Sequence, residues 1–357
     1  MDAVILSKLG VKHAENAVAE SLRIQTGLDW TKPVTFYGLI NERCNVKCRQ
    51  CGFWRLPQYK EEMTIEEWKR ALLSIKNFVG GYSINFSGGE PYIKKGFLDL
   101  LDFANSNGIH CGVTTNGLCM TQGNAAKTVA ARPFNVNISV DAPNAELHDY
   151  LRGQPGLFTK LSNGIKYLRQ EQEKQGVTFP IIAKPTLNRL NFRLMPELVE
   201  WAQQIGATAV NFQPVSLWTP ETYNELWFKA EDYDELTKVI ERLIEMKQNG
   251  APIMTGDEAL QMFLSHFRNE KASESFRPCR VGLRNFFIYP DGNVELCEEY
   301  PAIGNVKYQS AKEIWYGEKA KEVRQQTLDC DKLCLKTCVS QKTLMDKVLM
   351  GLKLLRN

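Results

Sequence analysis

Cys44-Asn45-Val46-Lys47-Cys48-Arg49-Gln50-Cys51 puts three cysteines into one short loop at a C-x3-C-x2-C spacing. The run just before it, Val34 to Ile40, reads as a strand, so the cysteines sit where a strand ends. Thiolates packed this closely, in a chain without secretory features, point to a soft metal centre rather than to disulfides. Three are one short of the four that hold a fully protein-ligated iron–sulfur cube, which leaves one iron open to another ligand. A structural zinc would also ask for a fourth ligand, and the next histidine downstream is only His110.

Working outward, the chain alternates strand and helix patterns. Thr64-Ile65-Glu66-Glu67 is a capping box, opening a helix that carries Trp68, Leu72, Ile75 and Val79 on one face and ends at Gly80-Gly81. Further strands read at Tyr82 to Phe86, His110 to Thr115, Phe134 to Val140, Pro180 to Pro185 and Ala209 to Phe212. Helices read around Phe97 to Ala104, Leu157 to Leu168, Met195 to Ile205 and Tyr233 to Met246. Six strands each followed by a helix imply a parallel α/β sheet with right-handed crossovers, either open and doubly wound or curled into a barrel. The polar and Gly-rich motifs all fall just after strands, where (βα) barrels place their active sites.

The chain has 357 residues, 43% hydrophobic and 24% charged, enough for one large domain and a small one. A net charge of +3 favours neither nucleic acid nor an acidic partner. Met1-Asp2-Ala3-Val4 opens no signal sequence, and no stretch approaches the length of a membrane span, so a cytoplasmic protein is expected. The first thirty-odd residues read as an amphipathic helix, with Val4, Ile5, Leu9, Val18 and Leu22 expected to pack on the outside of the main domain. Leu344, Val348, Leu352 and Leu355 share a basic helical face that suits docking onto the chain or a partner, or an anionic membrane surface.

The triple-cysteine spacing resembles the signature of the radical S-adenosylmethionine (radical SAM) superfamily. The resemblance implies a partial (βα)6 TIM-like barrel with a [4Fe-4S] cluster on Cys44, Cys48 and Cys51. Its open iron would bind the amino and carboxyl groups of S-adenosylmethionine (SAM), which reductive cleavage converts to a 5′-deoxyadenosyl radical. Gln50 departs from the hydrophobic or aromatic residue usual there, and Phe53 and Trp54 are expected to cover the cluster. Gly88-Gly89-Glu90-Pro91, directly after the second strand, matches the second motif of the family, which contacts the SAM amino group. Ser139-Val140-Asp141 with His148-Asp149-Tyr150-Leu151-Arg152 resembles the pattern of the branch with auxiliary clusters. By that resemblance Ser139 and Arg152 are candidates for the SAM carboxylate or ribose, and His148 is expected to hold the loop. Thr115, Asn116, Asn188 and Gln213 also end strands, and either line the SAM site or form turns.

Beyond the barrel, Phe286 to Val294 reads as a hairpin around Pro290-Asp291-Gly292, flanked by Cys279 and Cys297 in a C-x12-G-x4-C pattern. Cys330, Cys334 and Cys338 follow. This region resembles the SPASM/twitch extension that holds auxiliary [4Fe-4S] clusters. Full SPASM domains carry seven cysteines, and five here imply one auxiliary cluster on Cys279, Cys297, Cys338 and either Cys330 or Cys334. Zinc remains the alternative for this set. Glu298 takes the place of an acidic base in sulfatase-maturing relatives, or is a solvated surface charge. Cys111 reads as core, and Cys119 as a loop thiol at the active face.

The expected units are therefore an N-terminal helical extension (1–33), a radical SAM core (34–250), an auxiliary-cluster domain (251–340) and a C-terminal helix (341–357). The implied activity is hydrogen abstraction, fed by a donor such as flavodoxin or ferredoxin. Because the short N-terminus leaves no room for a leader-binding domain, a sugar, nucleoside or lipid precursor is the first expectation for the substrate, a peptide or protein the second. A non-enzymatic iron–sulfur or zinc protein is the third.

Overall fold

In a computed structural model of the chain, residues 3–55, 61–216, 220–271, 278–333 and 335 are described. Cys334, Cys338 and the expected C-terminal helix lie outside them.

Helix α1 (Ala3–Thr26) leads to strand β1 (Thr35–Leu39). Then come α2 (Ile65–Val79), β2 (Ser83–Ser87), α3 (Phe97–Ser106), β3 (His110–Thr115), α4 (Gln122–Ala130) and β4 (Asn135–Ile138). The next stretch holds α5 (Ala145–Arg152), α6 (Leu157–Gln175), β5 (Ile181–Ala183), β6 (Thr186–Leu187), α7 (Met195–Ile205), β7 (Ala209–Val210) and β8 (Gln213–Pro214). Helices α8 (Pro220–Leu226), α9 (Tyr233–Gln248) and α10 (Asp257–Phe267) close the barrel sequence. The C-terminal part adds β9 (Asn285–Ile288), β10 (Asn293–Glu295), β11 (Gly304–Asn305), α11 (Ala311–Tyr316) and α12 (Glu318–Asp329).

One sheet runs β11-β10-β9-β1-β2-β3-β4-β5-β7, and β6 pairs with β8 as a small parallel extension. The six strands expected from the sequence, β1 to β5 and β7, all lie in its parallel part, giving the mixed α/β partial barrel. The hairpin is present as β9 and β10, joined antiparallel. Its first strand also pairs in parallel with β1, Tyr37 opposite Phe287, so the C-terminal segment extends the barrel sheet itself.

Along each strand, successive residues go to opposite sides of the sheet. Phe36, Ile84, Phe86, Val113, Val136, Ile138, Ile181, Ala183, Val210, Phe286 and Ile288 are buried beneath the helices. Helix α2 shows why: its capping box forms as read, and Trp68, Ala71, Leu72 and Ile75 at helical spacing are buried. Trp68 meets Phe86 edge-on, 5.7 Å between ring centres. Gly38 makes room for both rings, since a Cβ there would lie 2.8 Å from Phe86 and 3.1 Å from Trp68. The same core takes in Val294, Leu296, Ile303, Ile314 and Trp315, so the C-terminal segment shares the hydrophobic packing of the barrel. Helix α10 likewise packs Leu260, Phe263 and Phe267 into the core under β4, β5 and β7.

Helix α1 docks differently from its apolar stripe. Val18 is 72% exposed, while Asn16 and Glu20 are buried. Asn16 Nδ2 donates to the Leu283 carbonyl at 3.0 Å. Glu20 accepts two bonds of 2.6 Å from the Arg284 guanidinium. The contact surface is a buried charge pair with the C-terminal segment, which an apolar-periodicity reading could not find.

Candidate functional site

The loop after β1 carries the first cysteine set. Cys48 is buried, and Cys44 and Cys51 are half-buried. Burial pushes all three thiols up, Cys48 to about 12, with the Arg152 guanidinium opposing it and the other two cysteines adding to it. The three thus lie within electrostatic reach of one another. Two donors face the sulfurs: Asn116 Nδ2 lies 3.8 Å from Cys44 Sγ, and an Arg152 guanidinium nitrogen 3.8 Å from Cys48 Sγ. Backbone amides of Phe53 and Trp54 favour the thiolate of Cys51. Buried neutral thiols with such donors suit a cationic cluster, whose charge would deprotonate them. Among the described residues no three His, Cys, Asp or Glu side chains close on a single metal ion; an iron–sulfur cube is held at separate corners instead.

Gln50 is explained by its neighbours. It is buried, and its Nε2 donates to Asp141 Oδ2 at 2.6 Å. Asp141, fully buried, also pairs with Arg152 Nε at 2.7 Å and accepts from the Thr186 amide at 2.9 Å. His148 is buried too, its Nδ1 accepting from the Asp141 amide at 3.1 Å, and burial holds the ring well below its usual range. A polar chain from the cluster loop to β4 and β6 thus stands where an aromatic residue is usual. Trp54 stays beside the loop, its Nε1 donating to the Cys48 carbonyl at 3.0 Å.

The glycines of Gly88-Gly89-Glu90-Pro91 serve the cluster loop directly. Gly88 has φ +120°, and a Cβ on it would lie 2.3 Å from the Asn41 carbonyl oxygen; one on Gly89 would lie 1.9 Å from that of Arg43. The Gly89 and Glu90 amides donate to those carbonyls, both at 2.9 Å. The Glu90 carboxylate is fully buried and accepts from the Thr115 hydroxyl at 2.7 Å, the Asn116 amide at 2.8 Å and the Tyr92 amide at 3.2 Å. Burial raises it to about 7, against the pull of these donors. Its contacts tie the ends of β2 and β3 together and, through Asn116, to Cys44.

Ser139 follows β4, half-buried, its amide donating to the Thr115 carbonyl at 2.9 Å. Asn188 is buried in a turn, its side chain bonded to the Thr186 carbonyl and the Leu190 amide. Gln213 reaches the Thr186 hydroxyl at 3.3 Å. Cys119 accepts from Asn45 Nδ2 at 3.1 Å, and Cys111 is core.

The hairpin brings the second set together. Burial pushes Cys297 up to about 11, with Cys279 and Cys330 among the charges acting on it. Tyr300 lies against Cys330; burial and all three sulfurs push its hydroxyl up to about 12. Three of the five cysteines read from the sequence therefore converge. Glu298 is exposed, one residue past Cys297. Among the described residues no helix is long and apolar enough to cross a membrane.

The family model of the radical SAM superfamily matches residues 39–198, and that of the SPASM iron–sulfur cluster-binding domain matches 279–339. The chain is 29% identical over 298 residues to an AdoMet-dependent heme synthase of Oleidesulfovibrio alaskensis, covering 77% of this chain and 72% of that protein. It is 25% identical over 318 residues to the sporulation killing factor maturation protein SkfB of Bacillus subtilis, covering 88% and 73%. Streptococcus suis SuiB, solved bound to the precursor peptide SuiA, superposes with a TM-score of 0.65 at 16% identity over 87% of this chain and 71% of that one. The cysteine loop at the end of β1, the glycines that admit it and the second cysteine set on the hairpin fall inside the two matched segments, and the chain belongs to the radical SAM superfamily as an enzyme with a C-terminal SPASM domain, using SAM and [4Fe-4S] clusters.

Proposed function

We propose that this enzyme modifies a peptide, abstracting hydrogen from an unactivated C–H bond. The observation that carries the reading is the similarity to SkfB along 88% of the chain. The sugar, nucleoside or lipid precursor that the short N-terminus suggested gives way to it. A second reading, a tetrapyrrole substrate, is favoured by the similarity to the heme synthase.

Cys44, Cys48 and Cys51 would hold the cluster, which when bound would supply the electron for cleaving SAM. The chain's own residues place and insulate it. Asn116 and Arg152 donate toward the sulfurs, Glu90 locks the strand ends, and the Gln50–Asp141–Arg152 chain fixes the loop from beneath. Cys279, Cys297 and Cys330, with Cys334 or Cys338, would hold one auxiliary cluster. A flavodoxin or ferredoxin would supply electrons.

The test is anaerobic reconstitution, followed by incubation with SAM, dithionite and either a candidate precursor peptide or iron coproporphyrin III. A mass change in the peptide, dependent on SAM, is expected alongside 5′-deoxyadenosine. Deoxyadenosine with an altered porphyrin and an unaltered peptide would select the second reading. An intact cluster without deoxyadenosine would refute both.

A further inference from the structure

We propose that the inward face of β2, β3 and β4 carries a binding site for a secondary amide, built from Asn85, Thr114, Asn135 and Asn137 over Gly112; it deepens, and rests on, the peptide reading above. Opposite the apolar helix-facing side, Asn85 and Asn135 stand across Gly112 in register. A Cβ on Gly112 would lie 2.4 Å from Asn135 Oδ1 and 2.7 Å from Asn85 Oδ1, so only glycine lets these two carboxamides meet. Asn137 Nδ2 bridges them, donating to Asn85 Oδ1 at 3.0 Å and Asn135 Oδ1 at 3.2 Å.

The orientation of all three amides follows from one backbone group. Asn137 Nδ2 also reaches the Val113 carbonyl at 3.3 Å, and a carbonyl can only accept. That makes this atom the nitrogen, and the two atoms facing it oxygens. Asn85 Nδ2 then donates to Thr114 Oγ1 at 2.9 Å. Thr114 Oγ1 accepts from Asn137 Nδ2 as well, at 3.3 Å, so three groups remain without a partner among the described residues: the Asn135 Nδ2 donor, the Asn137 Oδ1 acceptor and the Thr114 hydroxyl proton. Asn85, Thr114 and Asn135 are half-exposed, so the cluster is open on one side.

Asn135 Nδ2 and Asn137 Oδ1 pair one donor with one acceptor, the Thr114 hydroxyl is a second donor beside them, and none carries a formal charge. A carboxylate would find the donor but set its lone pairs against Asn137 Oδ1. An ammonium would find the acceptor but meet the Asn135 N–H group. A secondary amide offers a carbonyl to the one and an N–H to the other. The position suits a substrate: Thr114 lies two residues before Asn116, about 7 Å down the strand from the residue that faces Cys44.

The experiment uses the full-length, anaerobically reconstituted enzyme with SAM and measures binding of N-acetyl-triglycine amide by saturation-transfer NMR. Its fully N-methylated counterpart, which has lost the N–H groups, is the comparison probe. The wild type is expected to bind triglycine amide about tenfold more tightly than the methylated probe, and Asn135→Asp, which keeps the acceptor and loses the free donor, to weaken triglycine binding about tenfold. Gly112→Ala should abolish the difference between probes. Circular dichroism confirms that each variant is folded, and Asn135→Asp decides the matter if Gly112→Ala is not. Absence of triglycine binding by the wild type, equal binding of both probes, or unaltered binding by folded Asn135→Asp would overturn the proposal. The peptide reading fails separately, by an unaltered peptide mass while deoxyadenosine forms.

Discussion

Arg152 stands between Asp141 and Cys48, its Nε 2.7 Å from the carboxylate and a terminal nitrogen 3.8 Å from the sulfur. All three are buried, so the guanidinium balances a carboxylate that is never hydrated. Removing one partner of such a pair leaves the other charge uncompensated, which costs about 3–5 kcal/mol. Arg152→Met is therefore expected to lower the unfolding free energy of the reconstituted enzyme by that amount, read as a lower denaturant midpoint at unchanged slope. Asp141→Asn in the same chain should restore part of it. Equal midpoints for wild type and Arg152→Met would show that the pair contributes nothing.

Gly89→Ala places a methyl 1.9 Å from the Arg43 carbonyl oxygen, on rigid backbone. The cluster loop must move, and the Glu90 amide bond to that carbonyl goes with it. Reconstituted Gly89→Ala is expected to hold about half of the roughly eight irons of the wild type and to form no deoxyadenosine. Full iron content with normal deoxyadenosine would mean the loop accommodates the methyl.

Glu90 makes stability depend on pH in a definite direction. Burial raises its carboxyl in the folded protein to about 7, above the ordinary 4.5. The folded state therefore holds a proton that the unfolded chain has lost between those values, and the stabilisation present below about 4.5 is lost as pH rises toward 7. The full span is on the order of 3 kcal/mol. The melting temperature of the wild type should fall relative to Glu90→Gln between pH 5 and pH 7.5. Parallel curves would place the carboxyl at its ordinary value.

Cys297→Ala should separate the two iron sites. Loss of one auxiliary cluster predicts a fall from about eight irons to about four, with deoxyadenosine formation retained and substrate turnover lost. Iron unchanged by this substitution, with zinc released instead, would assign the hairpin cysteines to zinc.

The cysteines, the glycines and the six strands were legible because each leaves a local mark: a spacing, a close approach, an alternation. Helix α2 was legible from Thr64 and Glu67 alone. Helices α4 and α5 were missed because they are short and their buried faces, Ala125, Thr128 and Val129 in one and His148, Leu151 and Arg152 in the other, are not the large apolar stripe by which a helix is read. The pairing of β9 with β1 left no local mark, since a strand pattern does not name its neighbour. Glu90 is expected from its motif to contact SAM; its bonds from Thr115, Asn116 and Tyr92 are additional contacts that the motif did not mark. Gln50 looked like a departure because its partner, Asp141, lies far along the chain.

The parallel pairing of Thr35 with Asn285 has a consequence for how the protein is made. During synthesis β1 leaves the ribosome early, and its outer edge stays open until nearly the whole chain has emerged. An unpaired edge invites pairing with other chains. The cysteine loop at the end of β1 lacks, over the same interval, the three strands β9, β10 and β11 on one side of its sheet. Pairing of β9 with β1 is thus what completes the sheet on the near side of the cysteine loop.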